Sequence, residues 1–196
     1  MNPTWQSDGV QLYHGDALDI LSTFTPNSCG SSITDPPYGS DAEFFPHLLR
    51  VSTGNIVVFC KPENQFFKPD EYLFWIKTPS TKNFTKSCGR FVEMILVNRR
   101  PGAPFNNLHW SQMIGVYDDR HIYQVVHPFE KPLSLIERLV RIYTNIGDVI
   151  LDPFMGSGTV GVVAVREGRK FIGIERDPTF FEIAKLRIQG GLLGAT

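Results

Sequence analysis

Toward its C-terminus the chain runs DVILDPFMGSGTVGVVAVREGRKFIGIE, Asp148 to Glu175. An apolar run, a glycine-rich turn, a helical stretch and a second apolar run follow one another without a break. Apolar runs of this kind suit strands covered on both faces. With a helix between them they predict a β-α-β unit of a parallel sheet. Gly156, Gly158 and Gly161 satisfy a GxGxxG spacing at the strand-to-helix turn. Glycines there let the backbone turn sharply and let a ligand approach the main chain. The helix start offers unpaired N–H groups to a polar or negative ligand group. Glu175 ends the second strand, where an acid can hold two ribose hydroxyls. The combination predicts an adenosine-type ligand.

Only one more helix, FFEIAKLRI after Asp177-Pro178, follows Glu175, so the other strands must come from the N-terminal part. VQLYHGD, SSIT and NIVVFC read as strands, with a helix over ALDILSTF and another from Asp41 through Val51. EYLFWIKT and RFVEMILVNRR read as an antiparallel pair at a sheet edge. PLSLIERLVRIYTN is an amphipathic helix, with Pro132 in its first turn and Gly147 at its exit. The fold expected is a single α/β domain over residues 1–196. It has a Rossmann-like, mostly parallel sheet with an antiparallel edge strand pair, and a cofactor half placed late in the chain. A nicotinamide dinucleotide would need two mononucleotide halves across the switch point, which this order does not naturally supply.

The chain has 196 residues, 42% hydrophobic, and a formal charge of -1. Any nucleic-acid contact must therefore come from a local patch. Lys61 to Arg120 holds nine basic and six acidic residues, a local +3 against -4 elsewhere. The start carries no signal-peptide pattern, and no apolar run is as long as a membrane span. Cys29, Cys60 and Cys88 form no CxxC pair, which predicts a reduced, cytoplasmic setting. Histidines 14, 47, 109, 121 and 127 show no ligand spacing, so no metal is expected.

A second motif, ITDPPYG, spans Ile33 to Gly39 directly after the SSIT strand. In an open α/β sheet ligands gather outside the C-terminal strand ends, so this loop and the glycine loop should face one crevice. Pro36 and Pro37 stiffen the loop and leave carbonyls as acceptors. Asp35 adds a carboxylate and Tyr38 a flat ring. Two acceptors beside an aromatic face suit the exocyclic amine of a flat base.

The series DPPY, HPFEKP, DPFMGSGT and GIE resembles the beta class of DNA amino-methyltransferases, in which the catalytic motif precedes the cofactor loop. The resemblance covers Leu12 to Tyr38 and His127 to Ile188. It implies transfer of a methyl group from S-adenosylmethionine to adenine N6 or cytosine N4 of a base flipped out of DNA. It places Asp35 and the Pro36 carbonyl on the target amine and Tyr38 against the extruded base. It places Asp152, Phe154, Gly156, Ser157, Gly158 and Thr159 of the DPFMGSGT block at the cofactor. Glu175 would bind the ribose hydroxyls, Asp16 would lie beside the cofactor adenine, and Lys131 near its methionine carboxylate. An aspartate leading PPY favours adenine in that class, with cytosine as the alternative. The class is one of restriction-modification enzymes, with DNA as partner and a homodimer as one possible assembly.

Residues 101–126 form only a short loop where larger members carry a target-recognition insert. Recognition would then fall to a basic edge of Lys82, Lys86, Arg99 and Arg100, or to a second subunit, with Trp110 as a stacking or core residue. Three other readings share parts of the pattern. They are methylation of RNA, a free base or a protein amide; a non-catalytic partner; and a nicotinamide-dependent oxidoreductase.

Overall fold

The continuous apolar runs become the inner strands of one sheet, and the amphipathic segments become helices that cover it. In the computed structural model, the described residues are 1–37, 41–61, 65–77, 92–106, 116–119 and 131–193. The strands are β1 (Trp5–Ser7), β2 (Val10–His14), β3 (Ser31–Thr34), β4 (Ile56–Cys60), β5 (Glu71–Lys77), β6 (Val92–Asn98), β7 (Val116–Asp119), β8 (Val149–Asp152) and β9 (Lys170–Glu175). The helices described are α1 (Ala17–Thr23), α2 (Asp41–Val51), α3 (Leu133–Tyr143), α4 (Thr159–Arg166) and α5 (Pro178–Leu193).

Among the described residues the sheet has nine strands in the order β1-β2-β9-β8-β3-β4-β6-β5-β7. The stretch from β2 to β4 is parallel throughout. β6 is antiparallel to both β4 and β5, and β1 is antiparallel to β2. The sheet is thus mostly parallel with an antiparallel section near one edge. That section differs from the expected pair in one respect. β7 pairs in parallel with β5, so β5 is covered on its outer side. β7 also lies within residues 101–126, which the sequence suggested to be loop throughout.

Alternation along the inner strands divides the core. Val57 and Phe59 of β4 belong to one apolar cluster with α3, α4 and α5, while Ile56 and Val58 belong to another with α1 and α2. Every residue of β4 is buried, as a strand covered on both faces requires. Among the described residues no helix is long and apolar enough to cross a membrane. Cys29 and Cys60 are free, buried thiols; Cys88 lies outside the described residues.

Helix α3 is pinned firmly at its C-terminus. The Tyr143 carbonyl accepts from Ser31 Oγ at 3.1 Å and from Asn55 Nδ2 at 3.1 Å. Arg169 donates to Thr144 through Nε at 3.0 Å and Nη2 at 2.9 Å, and Asn106 Nδ2 donates to the Thr144 carbonyl at 2.9 Å. These donors satisfy carbonyls that a helix end leaves open. They also hold the opposite end of α3, preceded by Lys131 and Pro132, in a fixed place above the sheet.

Gly161 marks where α4 meets its neighbours. A Cβ there would lie 2.5 Å from Ile188 Cδ1 and 2.7 Å from Phe171 Cε1. Gly161→Ala is expected to lower stability by about 1–3 kcal/mol through overpacking, although alanine is the better helix former by about 1 kcal/mol. Urea denaturation checks this; an unchanged midpoint would show that α5 yields freely.

Candidate active site

The site is built where β3 and β8 lie side by side. Ser31 pairs with Ile150 and Ser32 with Leu151, so the chain leaves both strands at the same end of the sheet. The DPP loop follows β3 and the glycine loop follows β8. The Thr34 hydroxyl donates to Asp152 Oδ1 at 2.8 Å and ties the two strand ends together. On the other side β9 adds Glu175, and β2 leads into Gly15 and Asp16. Asp16 caps α1 by accepting from Leu18 N at 2.9 Å. Five strand ends, from β2 across to β4, therefore open onto one crevice.

Two adjoining spaces occupy it. The outer cleft, of about 640 Å³, runs from Gly15, Asp16, Ala17 and Leu18 past Glu175 and Phe180 to Phe154, Asp35 and Pro36. The inner chamber, of about 150 Å³, lies between Thr34, Asp35, Phe59, Lys131, Asp152 and the loop from Phe154 to Ser157. Asp35, Phe154 and Gly156 line both. The Phe154 ring rests edge-on against Phe44, with centroids 5.1 Å apart, which fixes the wall between cleft and core.

Glu175 is held in place by two backbone donors, Gly156 N at 2.9 Å and Asp177 N at 2.7 Å. Gly156 has a φ of +50°, and a Cβ there would meet nothing within 4 Å, so its α-carbon borders open space. Gly158 serves a different end. Its φ is +81°, and a Cβ would lie 2.9 Å from that of Ala184, so it gives α5 room to close on the loop. It lines neither space, unlike Gly156. Arg187 of α5 clamps the same loop, donating to the Ser157 carbonyl at 2.8 Å and to Ser157 Oγ at 2.7 Å.

A buried ion cluster closes the inner chamber. Lys131 Nζ lies 2.5 Å from Asp35 Oδ2 and 3.0 Å from Glu93 Oε1. It also sits 5.0 Å from the centre of the Phe59 ring and 5.8 Å from that of Trp75. Burial pulls the lysine's pKa down, but the Asp35 and Glu93 charges and hydrogen bonds outweigh it, and the net direction is upward.

The methyltransferase family model described as DNA methylase (N6_N4_Mtase) matches residues 104–186. The type II methyltransferase M2.DpnII of Streptococcus pneumoniae is 52% identical over 63 residues, 32% of this chain and 24% of that protein. The structure of the M1.HpyAVI-SAM complex superposes with a TM-score of 0.71 at 29% identity, covering 91% of this chain and 99% of that one. A putative DNA modification methylase of Thermus thermophilus, complexed with S-adenosyl-L-methionine, gives a TM-score of 0.67 at 26% identity, covering 93% and 96%. Over residues 104–186 the chain is thus similar to the N6/N4 DNA methylases. The stretch matched in the curated relative spans about a quarter of that protein's length.

Most of the residues singled out in the sequence converge. Asp16, Asp35, Pro36, Lys131, Asp152, Phe154, Gly156, Ser157, Thr159 and Glu175 all line the cleft or the chamber. Tyr38, Lys82, Lys86 and Trp110 lie outside the described residues. Lys131 faces two protein carboxylates. Arg99 and Arg100 are not brought to the site. They follow β6, which runs antiparallel to β4 with Asn98 opposite Ile56, so they stand at the other end of the sheet. There Arg99 pairs with Glu71 at 2.7 Å and covers the Phe105 ring at 4.2 Å, and Arg100 Nη2 donates to the Leu49 carbonyl at 3.4 Å. Val92 and Ile76, by contrast, face each other at the site end.

Sequence reading missed Glu93, Phe59, Trp75 and Arg187. For Glu93 a signal existed. It is the one acid inside the apolar run FVEMILVN, and it is 2% exposed.

Asp152 is buried among acids. Burial pushes its carboxyl up to about 7; the Thr34 hydroxyl and Phe154 N–H oppose that, and the Asp35 and Glu175 charges add to it. The folded value lies above the unfolded one, so the native state holds the extra proton. Stability should fall as pH rises from about 4 toward 7 and level off above. Asp152→Asn keeps an acceptor for both donors without the charge. It is expected to flatten this slope and gain on the order of 1–3 kcal/mol at pH 8. Urea denaturation at pH 5 and pH 8 checks it, and equal slopes in both proteins would count against it.

Proposed function

We propose that this chain transfers a methyl group from S-adenosylmethionine to the exocyclic amine of a base in DNA, and that the base is adenine, methylated at N6. The observation that carries the reading is the pairing of β3 with β8, which puts Asp35 and the Phe154–Gly156 loop on a shared wall. The S-adenosylmethionine complexes among the structural neighbours, and the type II methyltransferase relative, support it.

The residues present fit the cofactor. Gly156 leaves an open cradle in the loop, and Glu175 is oriented by two backbone donors at the cleft. Glu175 would hold the ribose hydroxyls, Asp16 with Ala17 and Leu18 would border the adenine, and Phe154, Gly156, Ser157 and Thr159 would border the methionine part. When bound, S-adenosylmethionine supplies an electrophilic methyl group on a sulfonium.

The chain's own task is to prepare the amine. In a base the amine lone pair is spread into the ring. Asp35 and the Pro36 carbonyl, as paired acceptors on its hydrogens, favour a tetrahedral nitrogen with a localised pair. The carboxylate then stabilises the positive charge that develops on that nitrogen. Tyr38 would stack on the base once it is flipped from the duplex. Lys82 and Lys86 would be the basic residues that meet phosphate. The preference for adenine rests on the aspartate that leads PPY. The remaining expectations belong to the same reading: a cytoplasmic restriction-modification enzyme, with a homodimer as a possible assembly.

Two outcomes are expected. Incubation with methyl-labelled S-adenosylmethionine and plasmid DNA, followed by digestion to deoxynucleosides, should yield N6-methyl-2'-deoxyadenosine; N4-methyl-2'-deoxycytidine instead would move the target to cytosine and keep the reaction class. Asp35→Ala should lose at least about 100-fold in transfer at saturating cofactor, with cofactor affinity by calorimetry within several-fold of wild type. A variant that kept a tenth of wild-type turnover would show that Asp35 is not the acceptor for the amine.

A further inference from the structure

The ion cluster at the inner chamber asks for an explanation that stability does not provide. Three charged side chains from three separate elements meet there: Asp35 after β3, Glu93 on β6 and Lys131 ahead of α3. β4 lies between β3 and β6, and Lys131 reaches across it above the Phe59 ring. Burying such a group is expensive, and apolar residues of similar volume often serve a core as well or better. A charged cluster kept at a cavity wall therefore points to a task at the wall.

We infer that Lys131 and Glu93 are positioning residues for Asp35, the lysine fixing the plane of its carboxylate and the glutamate fixing the lysine. The inference rests on the amine-methylation reading of Asp35. Lys131 holds Oδ2 of Asp35, which leaves the rotation of that carboxylate little freedom. Glu93 approaches the ammonium from β6, with Phe59 and Trp75 nearby, so the lysine is placed by packing as well as by charge. Among the described residues the cluster has one positive charge against two negative ones. A third carboxylate, from a cofactor's methionine end, would add repulsion around an ammonium whose charge is already shared. This assigns Lys131 to the acceptor side of the site and away from the methionine carboxylate.

The positioning matters because the acceptor must be ionised and aimed. A carboxylate held by a cation keeps its charge to lower pH and accepts the amine hydrogens along a set direction. Among the described residues the charged groups facing Asp35 include Lys131, Glu93 beyond it, and Asp152 on β8.

The test compares wild type with Lys131→Met, Lys131→Arg, Glu93→Gln and the double variant Glu93→Gln/Lys131→Met. Three quantities are read: single-turnover methyl transfer at saturating cofactor and DNA, cofactor affinity by calorimetry without DNA, and the acid titration of the Asp35 carboxyl by carbon NMR. Lys131→Met should lose about 100-fold in rate while cofactor affinity changes by less than about threefold. Lys131→Arg should recover about tenfold of that loss, and Glu93→Gln should cost about tenfold in rate at unchanged affinity. Without the lysine, Asp35 should titrate at higher pH than in wild type. The double variant, which removes opposite charges together, gives the same readouts if Lys131→Met alone does not fold. Cofactor affinity that drops tenfold or more while the saturated rate holds would return Lys131 to the cofactor and overturn the inference, as would an unmoved Asp35 titration. Wild-type protein that methylates no DNA base would instead sink the underlying reading, and the titration would still decide whether Lys131 governs Asp35.

Discussion

The contact between β3 and β8 is the constraint on which the site depends. It joins segments more than a hundred residues apart through only two residue pairs, Ser31 with Ile150 and Ser32 with Leu151. Its register is secured by unusual means. β3 is fully buried yet reads SSIT, with three hydroxyls in four positions. Each has a partner: Ser31 with the Tyr143 carbonyl, Ser32 with Ser52, Thr34 with Asp152. A slip of one residue would turn every side chain to the opposite face and strand these hydroxyls in an apolar layer. Apolar residues would have packed there without such selectivity. The polar strand makes one alignment far better than its neighbours, and that alignment sets the two loops side by side.

Helix α3 supplies the second fixed distance. Its C-terminal carbonyls are tied down by side chains from β3, from the β3–β4 region and from Arg169, while its N-terminal approach carries Lys131 over the sheet. Because both ends are set by the same sheet, the spacing between β3 and the lysine is inherited from rigid elements. The glycine loop is treated likewise. Gly158 and Gly161 let α5 and the sheet approach, and Arg187 holds the loop from behind. Only Gly156 of the three borders open space. A spacing that looks like one ligand motif thus divides into one position at open space and two for packing.

That division shows what the sequence could and could not express. The strands and helices were legible, because two-sided apolar runs and helical spacing leave few alternatives. The convergence of the DPP and glycine loops was legible too, from the rule that ligands gather at C-terminal strand ends. What escaped depended on direction and on partners. RFVEMILVNRR is visibly a strand, but nothing in it says that it runs antiparallel to β4, so its two terminal arginines were expected near the site and stand at the far end. The same reversal carries Glu93, at the start of that strand, into the site. Lys131 was legible as a residue near the chemistry, but its partners come from two other elements that only the folded sheet brings within reach. The strand at Val116–Asp119 was missed because a short, polar VYDD lacks the apolar pattern that marks an inner strand.

The two ends of the sheet thus carry separate duties. One end holds the cleft, the chamber and their carboxylates. The other holds the Arg99–Glu71 pair, the Tyr143 hydroxyl on Glu71 at 2.7 Å, and the cation over Phe105. On the proposed function, a duplex whose base reaches Asp35 comes from the cleft end. Gly102 is exposed at the opposite pole, and on the same reading a tether, a fluorophore or a fused reader domain fixed there would ride away from the nucleic acid.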